Sequence, residues 1–129
     1  MMRALVIDDS SAMRALLRRL LRDLGFDVTE APDVSTALER LRPGGLPDLA
    51  LVDWNLPGGS GIDFVRAVRV DPGQRGLRIL MITTEVGPEQ VRRALDAGAQ
   101  EYLMKPFTGE SLRDKLVLMG FPLEGQPHG

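Results

Sequence analysis

Four short apolar runs along this chain each end abruptly in a group with chemistry of its own. Leu5-Val6-Ile7 ends in Asp8-Asp9, Leu49-Ala50-Leu51-Val52 in Asp53, Ile79-Leu80-Met81-Ile82 in Thr83-Thr84, and Tyr102-Leu103-Met104 in Lys105-Pro106. Short runs of this kind, bounded by turn signals, read as strands buried on both faces of a sheet. Segments with helical periodicity lie between them. That alternation indicates a parallel sheet with helices on both sides, and right-handed crossovers leave few other arrangements. Parallel strands all point one way, so the polar groups that end them emerge at one edge. In open α/β sheets that edge is where ligands bind. Three carboxylates, a hydroxyl and an ammonium would then share one crevice, suited to a divalent cation and a phosphoryl group.

The intervening segments carry their own start and stop signals. Ser10-Ser11 offer N-caps, and Met13, Leu16, Leu17, Leu20, Leu21 and Leu24 form one helical stripe that Gly25 stops. Phe26–Ala31 alternates like an edge strand. Asp33 caps a second helix with Ala37, Leu38 and Leu41 facing inward. After the loop from Asn55 to Gly59, Ser60 and Asp63 resemble a capping box, and Phe64, Val65 and Val68 turn inward from a third helix. Pro88 suits the first turn of a fourth helix, with Val91, Ala94 and Leu95 on its inner side and Gly98 at its end. Thr108 caps a fifth, carrying Leu112, Leu116 and Met119. The expected domain covers residues 1–120, with a flexible tail rich in Gly and Pro over 121–129.

Composition narrows the function classes. The 129 residues suit one domain of ordinary size, and 43% hydrophobic with 26% charged residues reads as a folded, water-soluble chain. A formal net charge of -2 gives no general footprint for nucleic acid, and none is expected as a partner. With no cysteine there are no disulfides, thiolate zinc sites or iron–sulfur clusters. The single histidine, His128, cannot build an imidazole metal site alone. No run approaches the length of a membrane span, and no signal-peptide pattern is present, so the expected location is the cytoplasm.

The order of these residues resembles the receiver domain of two-component response regulators. The resemblance runs from Arg3 to about Gly120. It rests on Asp8-Asp9, then Asp53-Trp54-Asn55-Leu56-Pro57 with Gly61, then Thr83-Thr84-Glu85, then Lys105-Pro106-Phe107. Trp54, Asn55, Glu85 and Tyr102, with no output domain following, make it most similar to the stand-alone chemotaxis (CheY-like) type. The resemblance implies a flavodoxin-like, doubly wound five-stranded parallel sheet of order 2-1-3-4-5 with five helices. That strand order is the family's and is carried over with it.

The resemblance also implies roles. Asp53 would accept a phosphoryl group from a histidine kinase or phosphotransfer protein. Mg²⁺ would be the cofactor, held directly by Asp9, Asp53 and the Asn55 carbonyl, with Asp8 acting through water. Lys105 would neutralise phosphoryl charge, with a cis bond to Pro106. The backbone N–H groups of Trp54 and Thr84 would donate to phosphoryl oxygens. Thr83 and Tyr102 would form the switch, and Asn55 and Glu85 would tune dephosphorylation toward a short-lived signal. A downstream protein would bind the helix 4–strand 5–helix 5 face. The expected state is a monomer, with dimerisation on phosphorylation left open.

Taken singly, each of these groups has a plainer reading. Asp8-Asp9 is a strand end entering a helix N-terminus, where negative charge is favoured. Asp53 is a turn aspartate and Lys105-Pro106 an exposed turn. Thr83 and Tyr102 are ordinary strand residues. Arg14, Arg18 and Arg22, spaced i, i+4, i+8, are a solvated outer face or a docking stripe for an acidic phosphodonor. A hydrolase forming an aspartyl phosphate usually places a second Asp two residues on as its acid and base, a position held here by Asn55. The remaining alternatives are a phosphate-independent receiver-like interaction module and the receiver fragment of a longer regulator. The expected protein assists its own phosphorylation and dephosphorylation and is not a turnover enzyme on a separate substrate.

Overall fold

In a computed structural model, which describes residues 2–41, 46–84 and 87–123, five strands form one parallel sheet. They are β1 (Met2–Ile7), β2 (Phe26–Ala31), β3 (Leu49–Asp53), β4 (Arg78–Thr83) and β5 (Glu101–Met104), in the order β2-β1-β3-β4-β5. The helices between them are α1 (Ser11–Asp23), α2 (Val34–Arg40), α3 (Gly61–Val70), α4 (Pro88–Ala97) and α5 (Gly109–Leu118). A two-residue ribbon also pairs Asn55–Leu56 with Gly59–Ser60 after β3.

Alternation along each strand divides the core in two. Ala4, Val6, Leu49, Leu51, Leu80, Ile82 and Leu103 pack against Leu17 and Leu21 of α1 and Leu112 and Leu116 of α5. Leu5, Ile7, Ala50, Val52, Ile79 and Met81 pack against α2, α3 and α4 through Ala37, Ile62, Phe64, Val65, Val68 and Ala94. Burial on both faces is why the inner parts of β1, β3 and β4 are apolar rather than alternating.

Local signals place the helix ends. Ser10 Oγ accepts from the Met13 N–H at 3.1 Å. The Ser60 N–H donates to Asp63 Oδ2 at 3.1 Å while Ser60 Oγ accepts from Ile62 N–H, also at 3.1 Å. Thr108 and Ser111 cap α5 reciprocally. Gly98 ends α4 at φ 119°, a left-handed conformation that favours glycine.

Three expectations are corrected by packing. Leu16 and Leu95, assigned to inward stripes, are 38% and 46% exposed. Each sits one residue, about 100° of helix rotation, from a buried neighbour and falls on the flank of its stripe. The chain also stays packed past Gly120, where a tail was expected. Phe121 and Leu123 are buried, with the Phe121 ring edge-on to Phe26 at 5.4 Å and the Arg78 guanidinium 4.4 Å above it. Residues 124–129 lie outside the described residues.

Candidate phosphoacceptor and metal site

Strand register brings the expected residues together. Ile7 pairs with Val52, Asp53 with Ile82, and Thr83 with Met104. Asp8, Asp53, Thr83 and Lys105 therefore leave the sheet within two rungs of one another at its carboxyl edge. Asp8, Asp53 and Lys105 also continue the alternation of Val6, Leu51 and Leu103, which directs all three to the α1–α5 side. Thr83 has the opposite parity, shared with Met81, whose register partner is Tyr102.

The geometry is that of an acidic nest with one cation. Carboxylate oxygens of Asp8, Asp9 and Asp53 all lie within 4.8 Å of one another. The Lys105 ammonium lies 3.4 Å from Asp8 Oδ2 and 3.4 Å from Asp53 Oδ1. Asp8 and Asp53 are buried, whereas Asp9 is exposed. One ammonium cannot neutralise three carboxylates. At about 4 Å and an effective dielectric near 20, each unrelieved pair is worth roughly 4 kcal/mol of repulsion. An all-oxygen donor set of this charge suits a hard divalent cation that keeps several waters, so the residues present fit Mg²⁺.

Burial, then the neighbouring Asp8 carboxylate, push the Asp53 carboxyl above its ordinary value; Lys105 and the Asn55 N–H pull the other way and do not prevail. A folded carboxyl that holds its proton more tightly than the unfolded chain favours the fold at low pH, so stability falls as pH rises through the raised value. In chelator, Asp53→Asn is therefore expected to raise the urea midpoint at neutral pH. The advantage should shrink as pH falls through the raised Asp53 value toward the ordinary 3.8. Urea titrations of both proteins at several pH values check this, and a neutral-pH midpoint lowered by the substitution would contradict it.

Backbone donors differ from expectation at one position. The Trp54 N–H donates to the Ile82 carbonyl at 2.9 Å, because the ladder between β3 and β4 runs one residue past Asp53. It is not turned toward the carboxylate. The next N–H, that of Asn55, acts on the Asp53 carboxyl and favours its charged form. Thr84 is exposed beside Thr83, and Thr83 is buried. Glu85 lies outside the described residues. Lys105-Pro106 is cis, and the Lys105 N–H donates to the Thr83 carbonyl at 2.8 Å.

Two further groups shape the site. Arg14 donates through Nη1 to the Asp8 carbonyl at 2.6 Å and through Nε to Glu30 at 3.2 Å; Arg18 pairs with the same Glu30. Two of the three arginines of the α1 stripe are thus paired with Glu30 of β2. Trp54 is buried beside Asp53, with the Arg93 guanidinium 5.6 Å from its ring.

Comparison with known proteins agrees with this arrangement. The family model described as "Response regulator receiver domain" matches residues 4–117. The chain is similar to Chemotaxis protein CheY of Pseudomonas aeruginosa, 46% identical over 116 residues, covering 89% of this chain and 93% of that one. It is also similar to Chemotaxis protein CheY-3 of Vibrio cholerae, 46% identical over 116 residues, covering 89% and 88%. Among solved structures, the chemotaxis response regulator CheY4 of Vibrio cholerae superposes with a TM-score of 0.85 at 35% identity, covering 92% of this chain and 98% of that one. A receiver domain protein from Methanospirillum hungatei gives 0.81 at 28% identity, covering 92% and 93%. The chain belongs to the response regulator receiver family, and its general role is in two-component signalling.

Proposed function

We propose that this protein is a Mg²⁺-dependent phosphoacceptor of a chemotaxis-type two-component system, modified on Asp53. The observation that carries the reading is the Lys105 ammonium held 3.4 Å from both Asp8 and Asp53, beside an exposed third carboxylate at Asp9. A histidine kinase or phosphotransfer protein presents a phosphohistidine. An Asp53 carboxylate oxygen attacks phosphorus, the P–N bond breaks, and its electron pair stays with the imidazole nitrogen, leaving an acyl phosphate. Such transfer depends on positioning and charge neutralisation rather than acid–base chemistry. Asp9, Asp53 and the Asn55 carbonyl would hold Mg²⁺, with the Asp8 carboxylate beside them; the ion would supply positive charge to the phosphoryl oxygens. Lys105 meets that charge from the other side. The Asn55 N–H and the Thr84 N–H donate to phosphoryl oxygens. Asn55 and Glu85 set the rate of hydrolysis, and their polarity favours a short-lived signal.

Thr83 reads the modification through its hydroxyl. Its neighbour on the same face, one pleat back, is Met81, paired with Tyr102, so an inward turn of Tyr102 brings the ring toward Thr83. The downstream protein binds the face of α4, β5 and α5. Exposed Leu95, Met104, Val117 and Leu118 on those three elements support this, as apolar groups available for docking. The regulator so proposed is cytoplasmic and monomeric and has no nucleic-acid partner. Among the described residues no helix is long and apolar enough to cross a membrane.

Phosphoramidate provides the test. With Mg²⁺ the wild type is expected to gain the mass of one phosphoryl group, and Asp53→Ala none. Equal labelling of the two proteins would overturn the assignment of Asp53, and labelling unaffected by chelator would overturn the metal dependence.

A further inference from the structure

Tyr102 is held by contacts that the phosphoryl site does not require. The Lys115 ammonium on α5 lies 4.5 Å from the Tyr102 ring centroid and 2.9 Å from Glu101 Oε1. The same Glu101 oxygen accepts the Tyr102 N–H at 3.2 Å. One carboxylate oxygen therefore ties the lysine to the backbone that carries the ring. β5 is an edge strand. Tyr102 packs half-buried on the α2–α3–α4 side of the sheet, while α5 covers the other side, so Lys115 reaches the ring around the open edge. A cation placed on the ring face favours the ring position that keeps it there. A ring that turned inward toward Thr83 would leave a lysine still fastened to Glu101.

We propose that Glu101 and Lys115 form a latch that keeps the Tyr102 ring at the sheet edge and sets how readily it turns inward. They are positioning residues and touch no phosphoryl group. The latch rests on the reading of Tyr102 as a switch residue, and it deepens that reading by naming what opposes the switch. Exposed cation–π contacts shift such an equilibrium by about fivefold. A modified protein has to overcome that bias, so loosening the latch raises the inward population before any phosphoryl group is present.

Tyr102 is the only tyrosine, so 3-fluorotyrosine incorporation gives a single ¹⁹F resonance from this ring. Its solvent isotope shift between H₂O and D₂O reads how exposed the ring is. Lys115→Met keeps the apolar stem and removes the charge. Without Mg²⁺ or a phosphoryl mimic, this variant is expected to show a smaller isotope shift than wild type, as the ring turns inward. Glu101→Gln, which frees the lysine, should move it the same way, and Lys115→Arg, which keeps a cation over the ring, should restore the wild-type value. An unchanged or larger isotope shift in Lys115→Met overturns the latch.

A second arm separates the latch from the switch. Wild type with Mg²⁺ and beryllofluoride is expected to show the smaller isotope shift, and Lys115→Met to bind beryllofluoride about fivefold more tightly. If wild type shows no change on saturation while Lys115→Met shows the smaller shift without the mimic, the latch stands and the switch role of Tyr102 falls. If wild type responds and Lys115→Met matches it at every step, the latch falls and the switch stands.

Discussion

Gly61→Ala is expected to lower folding stability by about 3 kcal/mol, roughly 10 °C in Tm for a domain of this size. The reason is a close approach, not a turn. A Cβ at this position would stand 2.3 Å from the Asp53 carbonyl oxygen, 2.9 Å from Val52 Cγ1 and 3.1 Å from Met81 Cε. The Gly61 N–H also donates to the Trp54 carbonyl at 2.8 Å, so the first residue of α3 is pinned against the end of β3. A methyl group there must displace backbone at Asp53, the residue proposed to accept the phosphoryl group. Because Asp53 moves with it, the variant should also lose Mg²⁺ affinity, which a purely peripheral strain would spare. Thermal melts with and without Mg²⁺ measure both effects. A variant as stable as wild type would show that the packing between α3 and β3 is looser than the structure has it.

Asp9→Asn is expected to weaken Mg²⁺ binding by at least about tenfold while leaving the metal-free fold intact or slightly more stable. Asp9 is exposed, so its loss opens no cavity. It is one of three carboxylates with oxygens inside 4.8 Å, so the same change removes repulsion when no cation is present. Changes in groups that merely support a metal's ligands already cost about 10–100-fold in affinity, and a direct ligand should cost no less. Trp54 is the sole tryptophan and lies next to Asp53, which makes its fluorescence the readout of a Mg²⁺ titration. Matching curves for wild type and variant would remove Asp9 from the metal site.

The sheet and the meeting of Asp8, Asp9, Asp53 and Lys105 were legible in the sequence for one physical reason. A parallel strand covered on both faces must be apolar to its end, so the point where Ile7 gives way to Asp8, or Val52 to Asp53, marks the sheet edge directly. Caps were legible because a Ser60–Asp63 or Thr108 signal is local. Contacts between elements were not. Arg14, Arg18 and Arg22 have the spacing of an outer helix face, and nothing in that spacing reveals that Glu30 on the neighbouring strand takes two of them. Phe121 and Leu123 sit in a Gly- and Pro-rich segment that reads as a tail, yet Phe26 and Arg78 give Phe121 a place in the core. The resemblance implies a phosphoryl donor in the Trp54 N–H, and nothing in the local sequence reveals that this N–H pairs with the Ile82 carbonyl. Gly61 belongs to the motif that carries the resemblance, while the need for glycine there comes from the Asp53 carbonyl it approaches.

The proposed function requires an acidic nest and one lysine to act together on Asp53. A crystal structure of the chain grown with Mg²⁺ and beryllofluoride would show whether they do. Beryllofluoride is expected on an Asp53 carboxylate oxygen, with a fluorine on the Lys105 ammonium and Mg²⁺ between Asp9 and Asp53. Beryllofluoride absent from Asp53 at saturating concentration, or a metal seated away from these carboxylates, would contradict it.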